Sequence, residues 1–139
     1  MDTAAPGVRL LIVDDSDLIR EGLKSTLQSY PDIHIVGEAS NGEEALLTVS
    51  QLKPTVVLMD IVMPRLDGIA STRMLKTLYP QIAVVGLSVH AKTYEINAML
   101  EAGALQVITK ENAVHELYEA IQKAALSVIP GSRGEQASQ

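Results

Sequence analysis

Apolar and polar positions along the chain follow two rhythms. Predominantly apolar runs of strand length occur five times: "VRLLIV" at 8–13, "IHIVGEA" at 33–39, "TVVLMD" at 55–60, "IAVVGLS" at 82–88 and "LQVIT" at 105–109. Between them lie longer segments whose apolar residues recur every three or four positions, the period of a helix with one buried face. Ile19, Leu23 and Leu27 mark the first helix, with Ser16 placed to cap it and Tyr30-Pro31 ending it. Asn41 and Glu44 have the spacing of a capping box and open a second helix that runs to about Leu52, ahead of Pro54. Asp67 is placed to cap a third, which carries Ala70, Met74, Leu75 and Leu78 and stops at Tyr79-Pro80. A fourth runs from about Thr93 to Gly103, a residue suited to a helix stop. A fifth runs from about Ala113 to Ser127, with Val114, Leu117, Ile121 and Ala125 on one face.

Strands that read as continuous apolar runs, with no inside–outside alternation, are those covered on both faces, as in a parallel sheet. Five such strands alternating with five helices predict a doubly wound α/β sandwich forming one domain over 8–128. The polar segment at 129–139 is expected to be a disordered tail. Sheets of this class bind ligands beyond the carboxyl ends of their strands. The polar residues at those ends are therefore the candidates for chemistry. Asp14 and Asp15 follow the first strand, Asp60 ends the third, Ser88 ends the fourth and Lys110 follows the fifth.

Adjacent carboxylates repel and raise each other's pKa unless a cation lies close by. Three carboxylates at one rim make a hard-cation site of the kind Mg²⁺ takes, with a phosphate as co-ligand. A lysine opposite them supplies a point charge for a phosphate oxygen. A carboxylate such as Asp60 can also serve as a nucleophile and carry an acyl phosphate.

Composition narrows the field. A chain of 139 residues suits one hydrophobic core, and 47% apolar with 20% charged residues is an ordinary globular balance. A net charge of −6 and 3% aromatic residues argue against direct nucleic-acid binding. No apolar run is long enough to span a bilayer, so no membrane insertion is expected. The opening "MDTAAPG" lacks the basic and apolar parts of a signal peptide and Cys is absent, so a cytoplasmic location is expected. His34, His90 and His115 have no metal-ligand spacing, which argues against a zinc site built on them. Tyr94 and Tyr118 read as partly buried packing residues, and Met63 and Met74 as core or loop packing.

The motifs "VDDSD" at 13–17, "LMDIVMPRLDG" at 58–68, "GLSVH" at 86–90 and "ITK" at 108–110 occur in this order on the predicted strands. In these motifs and their spacing the chain resembles the receiver domain of two-component response regulators. "VGEASNGEEAL" resembles receivers that precede helix-turn-helix output domains, whereas "VGLSVHA" and "TKENAVHELYEAI" are closer to receivers of hybrid histidine kinases. The resemblance implies a flavodoxin-like (βα)5 fold with strand order 2-1-3-4-5. It implies a phosphorylation-dependent switch that takes a phosphoryl group from a histidine kinase or phosphotransfer protein. Such a switch catalyses only its own phosphorylation and dephosphorylation. Asp60 would be the phosphoacceptor. Asp15 would bind Mg²⁺ directly, Asp14 partly through water, and the Val62 carbonyl would complete the protein ligands. Ser88 would be the switch hydroxyl. Lys110 would pair with Asp60 before phosphorylation and with the phosphoryl oxygen after it. Met63-Pro64 and Gly68 would shape the loop beneath the site.

Three positions depart from the family pattern. Val107 replaces a common aromatic switch residue, Glu111 a common proline after the lysine, and Val89 a small residue after the switch hydroxyl. An aliphatic Val107 would leave a standing apolar patch on the face of the fourth helix, fifth strand and fifth helix, suited to a partner or a homodimer. Other readings of the same residues are an aspartate-nucleophile phosphatase, a flavodoxin-like cofactor binder and a pseudo-receiver that binds partners without phosphorylation. The phosphatase would want an acid where Val62 stands, and the cofactor binder a phosphate loop where "DDSD" stands. The pseudo-receiver is opposed by the presence of all five polar residues at the strand ends.

Overall fold

A computed structural model describes residues 7–63, 65–89 and 92–128. The tail expected at 129–139, and the expectations for Pro64 and His90, lie outside the described residues. Five strands, β1 (Val8–Val13), β2 (Ile33–Ala39), β3 (Val56–Asp60), β4 (Ala83–Ser88) and β5 (Gln106–Thr109), alternate with helices α1 (Asp17–Leu27), α2 (Gly42–Leu52), α3 (Gly68–Leu78), α4 (Thr93–Ala102) and α5 (Ala113–Ser127). The sheet order is β2-β1-β3-β4-β5, and every neighbouring pair is parallel. This is the flavodoxin-like (βα)5 topology that the motifs implied. No described helix is long and apolar enough to cross a membrane.

The central strands are covered on both faces. Leu10, Ile12, Leu58, Val85, Leu87 and Ile108 pack against the apolar sides of α1 and α5, including Leu23, Leu27, Leu117 and Ile121. Alternate residues, among them Leu11, Val13, Val57, Met59 and Val84, pack against Ala45, Val49, Leu75 and Met99 of α2, α3 and α4. Period-2 side-chain direction in the strands thus divides one continuous apolar run between two cores.

The helix starts follow their capping residues. The Ser16, Asn41 and Asp67 side chains accept hydrogen bonds from the amides of Ile19, Glu44 and Ala70 at 3.1, 2.9 and 2.9 Å. Glu44 departs from the expected reciprocal box: it reaches past Asn41 to the amide of Ser40 at 2.6 Å. Gly103 closes α4 at φ 122°, a backbone conformation that costs glycine little.

Two packing expectations need correction. Tyr94 is 67% exposed, because it lies in the first turn of α4 on the outer side. Met74 is 43% exposed on α3, while Met63 is buried as expected. Tyr118 is half-buried. It stacks on Tyr30 with ring centroids 3.9 Å apart and donates its hydroxyl hydrogen to Asp32 at 2.8 Å. A short 3-10 turn at Lys110–Asn112, absent from the periodicity, joins β5 to α5.

Candidate functional site

The parallel register brings the acidic residues together. Val13 of β1 pairs with Met59 of β3, so Asp14 and Asp60 each lie one residue beyond that rung on adjacent strands. Neighbouring strands are about 4.8 Å apart. Asp15 follows at the mouth of the β1–α1 turn. Carboxylate oxygens of Asp14, Asp15 and Asp60 all lie within 4.8 Å of one another. Asp14 and Asp60 are buried and Asp15 is exposed. Oxygen donors this close fit a hard divalent cation.

Lys110, at the end of β5, reaches across the sheet edge. Its Nζ lies 2.6 Å from Asp14 Oδ2 and 3.5 Å from Asp60 Oδ1. The lysine therefore bridges two acids and stands nearer to Asp14, where pairing with Asp60 was expected. Asp14 is further fixed by the Ser16 amide, which donates to its Oδ1 at 2.9 Å. Ser88 is buried at the end of β4; its neighbour Leu87 is the register partner of Asp60.

The loop after Asp60 folds tightly under the site. The Gly68 amide donates to the Ile61 carbonyl at 2.8 Å. A Cβ on Gly68 would lie 1.9 Å from the Asp60 carbonyl oxygen, so only glycine lets α3 begin this close to the acid. Val62 exposes its side chain, while its backbone N–H donates to the Asp60 carboxylate.

Burial, followed by the negative charge of Asp14, pushes the Asp60 carboxyl up from 3.8 to about 7, against the opposing pull of Lys110. The metal-free folded chain thus keeps a proton that the unfolded chain releases between about pH 4 and pH 7. A group raised in this way stabilises the fold below the window and loses that contribution as pH rises through it. Glu38 and Glu44 are shifted the other way, Glu38 chiefly by its hydrogen bond with Lys24 and Glu44 by the Ser40 amide, so their contributions fade only in acid. In chelator, the melting temperature of the unaltered protein should fall relative to Asp60→Asn between pH 5 and pH 8. Allowing for solvent screening, the relative change is about 1–2 kcal/mol, or roughly 3–6 °C. A constant gap between the two proteins across that range would contradict the shift.

Two charged residues that the motifs did not single out adjoin the site. Arg20 of α1 turns back toward the end of β1, and Glu38 of β2 meets it at 2.9 Å. The pairing joins residues eighteen positions apart in sequence, which neither helical nor strand periodicity reports.

Comparison with known proteins agrees with this architecture. The model of the response regulator receiver domain matches residues 10–122. The response regulator GacA of Pseudomonas protegens is 40% identical over 115 residues, which are 83% of this chain and 54% of GacA. The chain thus spans about half the length of the curated relatives it matches. Among solved structures, the response regulator domain of Thermotoga maritima CheB superposes with a TM-score of 0.81 at 33% identity, covering 89% of this chain and 99% of that one. A chain of the CheX–CheY–BeF3–Mg²⁺ complex from Borrelia burgdorferi superposes with a TM-score of 0.77 at 25% identity, covering 84% of this chain and 87% of that one.

Proposed function

Because the chain belongs to the response regulator receiver family, we propose that it is a phosphorylation-dependent switch whose Asp60 accepts a phosphoryl group from a phosphohistidine donor in a Mg²⁺-dependent reaction. The observation that carries this reading is the meeting of three carboxylates and one lysine at the carboxyl edge of a parallel sheet. That edge has the charges a phosphoryl transfer needs and little else.

An Asp60 carboxylate oxygen attacks phosphorus. A P–O bond forms as the P–N bond to the donor imidazole breaks, and the leaving nitrogen takes up a proton. Lys110, already between Asp14 and Asp60, turns its ammonium to a phosphoryl oxygen. The Ser88 hydroxyl donates a hydrogen bond to another. Asp14, Asp15, Asp60 and the Val62 carbonyl are the groups that would hold Mg²⁺, which when bound neutralises charge on the phosphoryl oxygens. Attack of water on phosphorus later returns the free carboxylate and inorganic phosphate. The chain acts on itself alone, so it is a switch and not a metabolic enzyme. The phosphatase reading is weakened by Val62, whose apolar side chain cannot protonate a leaving group.

The donor is a histidine kinase or phosphotransfer protein. A second copy of the chain would associate through the side formed by α4, β5 and α5, where Tyr94, Leu105 and Val114 are exposed.

Intact mass after incubation with Mg²⁺ and acetyl phosphate tests the reading: a gain of one phosphoryl group is expected, and none in chelator. Asp15→Ala should lose this gain while remaining folded. Removing one of several crowded anions relieves repulsion, so metal-free Asp15→Ala should melt no lower than the parent. Full labelling of Asp15→Ala at low Mg²⁺, or a clear drop in its metal-free melting temperature, would count against the acid-cluster role.

A further inference from the structure

The end of β1 that carries the acid pair is gripped by a residue outside the pair. Arg20 is only 13% exposed and spreads its guanidinium over three acceptors. Nη1 donates to the backbone carbonyl of Asp14, Nε to Glu38 Oε1 at 2.9 Å, and Nη2 to the Asp17 carboxylate. Glu38 is anchored in turn by Lys24 at 2.7 Å, and the Asp14 amide donates to the Ala39 carbonyl on β2 at 3.1 Å. Asp14 thus has its N–H, its carbonyl and its Oδ1 hydrogen-bonded, while its buried Oδ2 faces the Lys110 ammonium without a hydrogen bond.

Resting on the metal-dependent reading above, we infer that Arg20 is a positioning residue for the acid pair, and that it acts through the Asp14 carbonyl to aim Asp15. The peptide unit is planar, so fixing the carbonyl of Asp14 fixes the plane from which Asp15 departs. Asp15 is the exposed member of the three carboxylates, and its direction depends most on its backbone. A guanidinium can make this three-way contact because its donors are set in a rigid fork. Its charge is already met by Asp17 and Glu38, so its contribution to the site is geometric.

Geometry and charge predict opposite results. A cation beside a metal site competes with the metal, so removing a competitor would tighten Mg²⁺ binding. Removing a positioning group weakens it. Mg²⁺ titrations of the full chain, followed by amide chemical shifts, separate the two. For Arg20→Met the dissociation constant should rise about tenfold, the size typical of lost outer-shell support. Lys24→Met breaks a contact to the same Glu38 without touching β1 and should stay within about twofold of the parent. With acetyl phosphate as donor, the half-saturating Mg²⁺ for Arg20→Met should rise by the same factor, while the rate at saturating Mg²⁺ returns to the parent value. A general loss of structure would not be rescued in that way. Arg20→Lys keeps a cation on the helix but loses the fork, and should show the same shift if Arg20→Met is too unstable to study. Unchanged or tighter Mg²⁺ binding in the Arg20 variants, or an equal loss in Lys24→Met, would overturn the inference. Absence of Mg²⁺ binding by the unaltered chain would instead overturn the reading on which it rests, and the inference with it.

Discussion

Asp60→Asn is expected to abolish the gain of one phosphoryl group that intact mass should show in the parent. Asparagine keeps the shape of the side chain, so the loop clamped by Gly68 has no reason to move. It lacks the anionic oxygen that, on this reading, would attack phosphorus. Among the carboxylates at the rim, Asp14 is closed in on both oxygens by Ser16 and Lys110, and Asp15 stands on the turn outside the strand. On the reading proposed above Asp60 is the nucleophile, so its loss should remove the label completely. Persistent labelling of Asp60→Asn at the parental level would reassign the acceptor. Partial labelling at a new peptide would show that a neighbouring carboxylate can substitute.

The second large effect concerns stability. Lys110→Met keeps most of the side-chain volume but removes the ammonium that bridges Asp14 and Asp60. Breaking a buried pair from one side leaves uncompensated charge, at a cost of about 3 kcal/mol or more. For a domain of this size that corresponds to roughly 10 °C in melting temperature. The loss should be greatest in chelator at pH 8, where Asp60 has given up its proton. It should shrink at pH 6, where a carboxyl held up at about 7 is largely neutral. Mg²⁺ should restore part of it by replacing the missing positive charge. A metal-free melting temperature within about 2 °C of the parent at pH 8 would mean that Asp14 and Asp60 do not need the lysine.

Much of this arrangement is legible in the amino-acid order itself. β1, β3 and β4 read clearly because both their faces are buried, so few polar residues interrupt them. Ser16, Asn41 and Asp67 read as caps because capping is local: the acceptor and its amide lie three residues apart. The rim itself can be read to the resolution of a sheet edge, since parallel strands all end on one side. Distance across that edge cannot be read in the same way. Lys110 approaches Asp14 more closely than Asp60 because of how β5 and its 3-10 turn meet the neighbouring strands, and a three-residue turn leaves no periodic trace. Tyr94 departs from expectation because an aromatic residue at a helix start has no periodicity of its own to fix its direction. The Arg20–Glu38 contact depends on where α1 lies against β2, a property of packing and not of either segment.

The absence of Trp and Phe gives the tyrosines a second use. The ultraviolet emission of this protein comes from four phenol rings. Two of them, Tyr30 and Tyr118, are stacked on each other, and the hydroxyl of Tyr118 is bonded to a carboxylate, a proton acceptor that quenches phenol fluorescence. Tyr94 stands apart in solvent on α4 with the Lys92 ammonium 6.0 Å from its ring centre. The emission of this protein is therefore shared between a dimmed stack against α5 and the rings of Tyr79 and Tyr94, of which Tyr94 reports on the segment that follows Ser88.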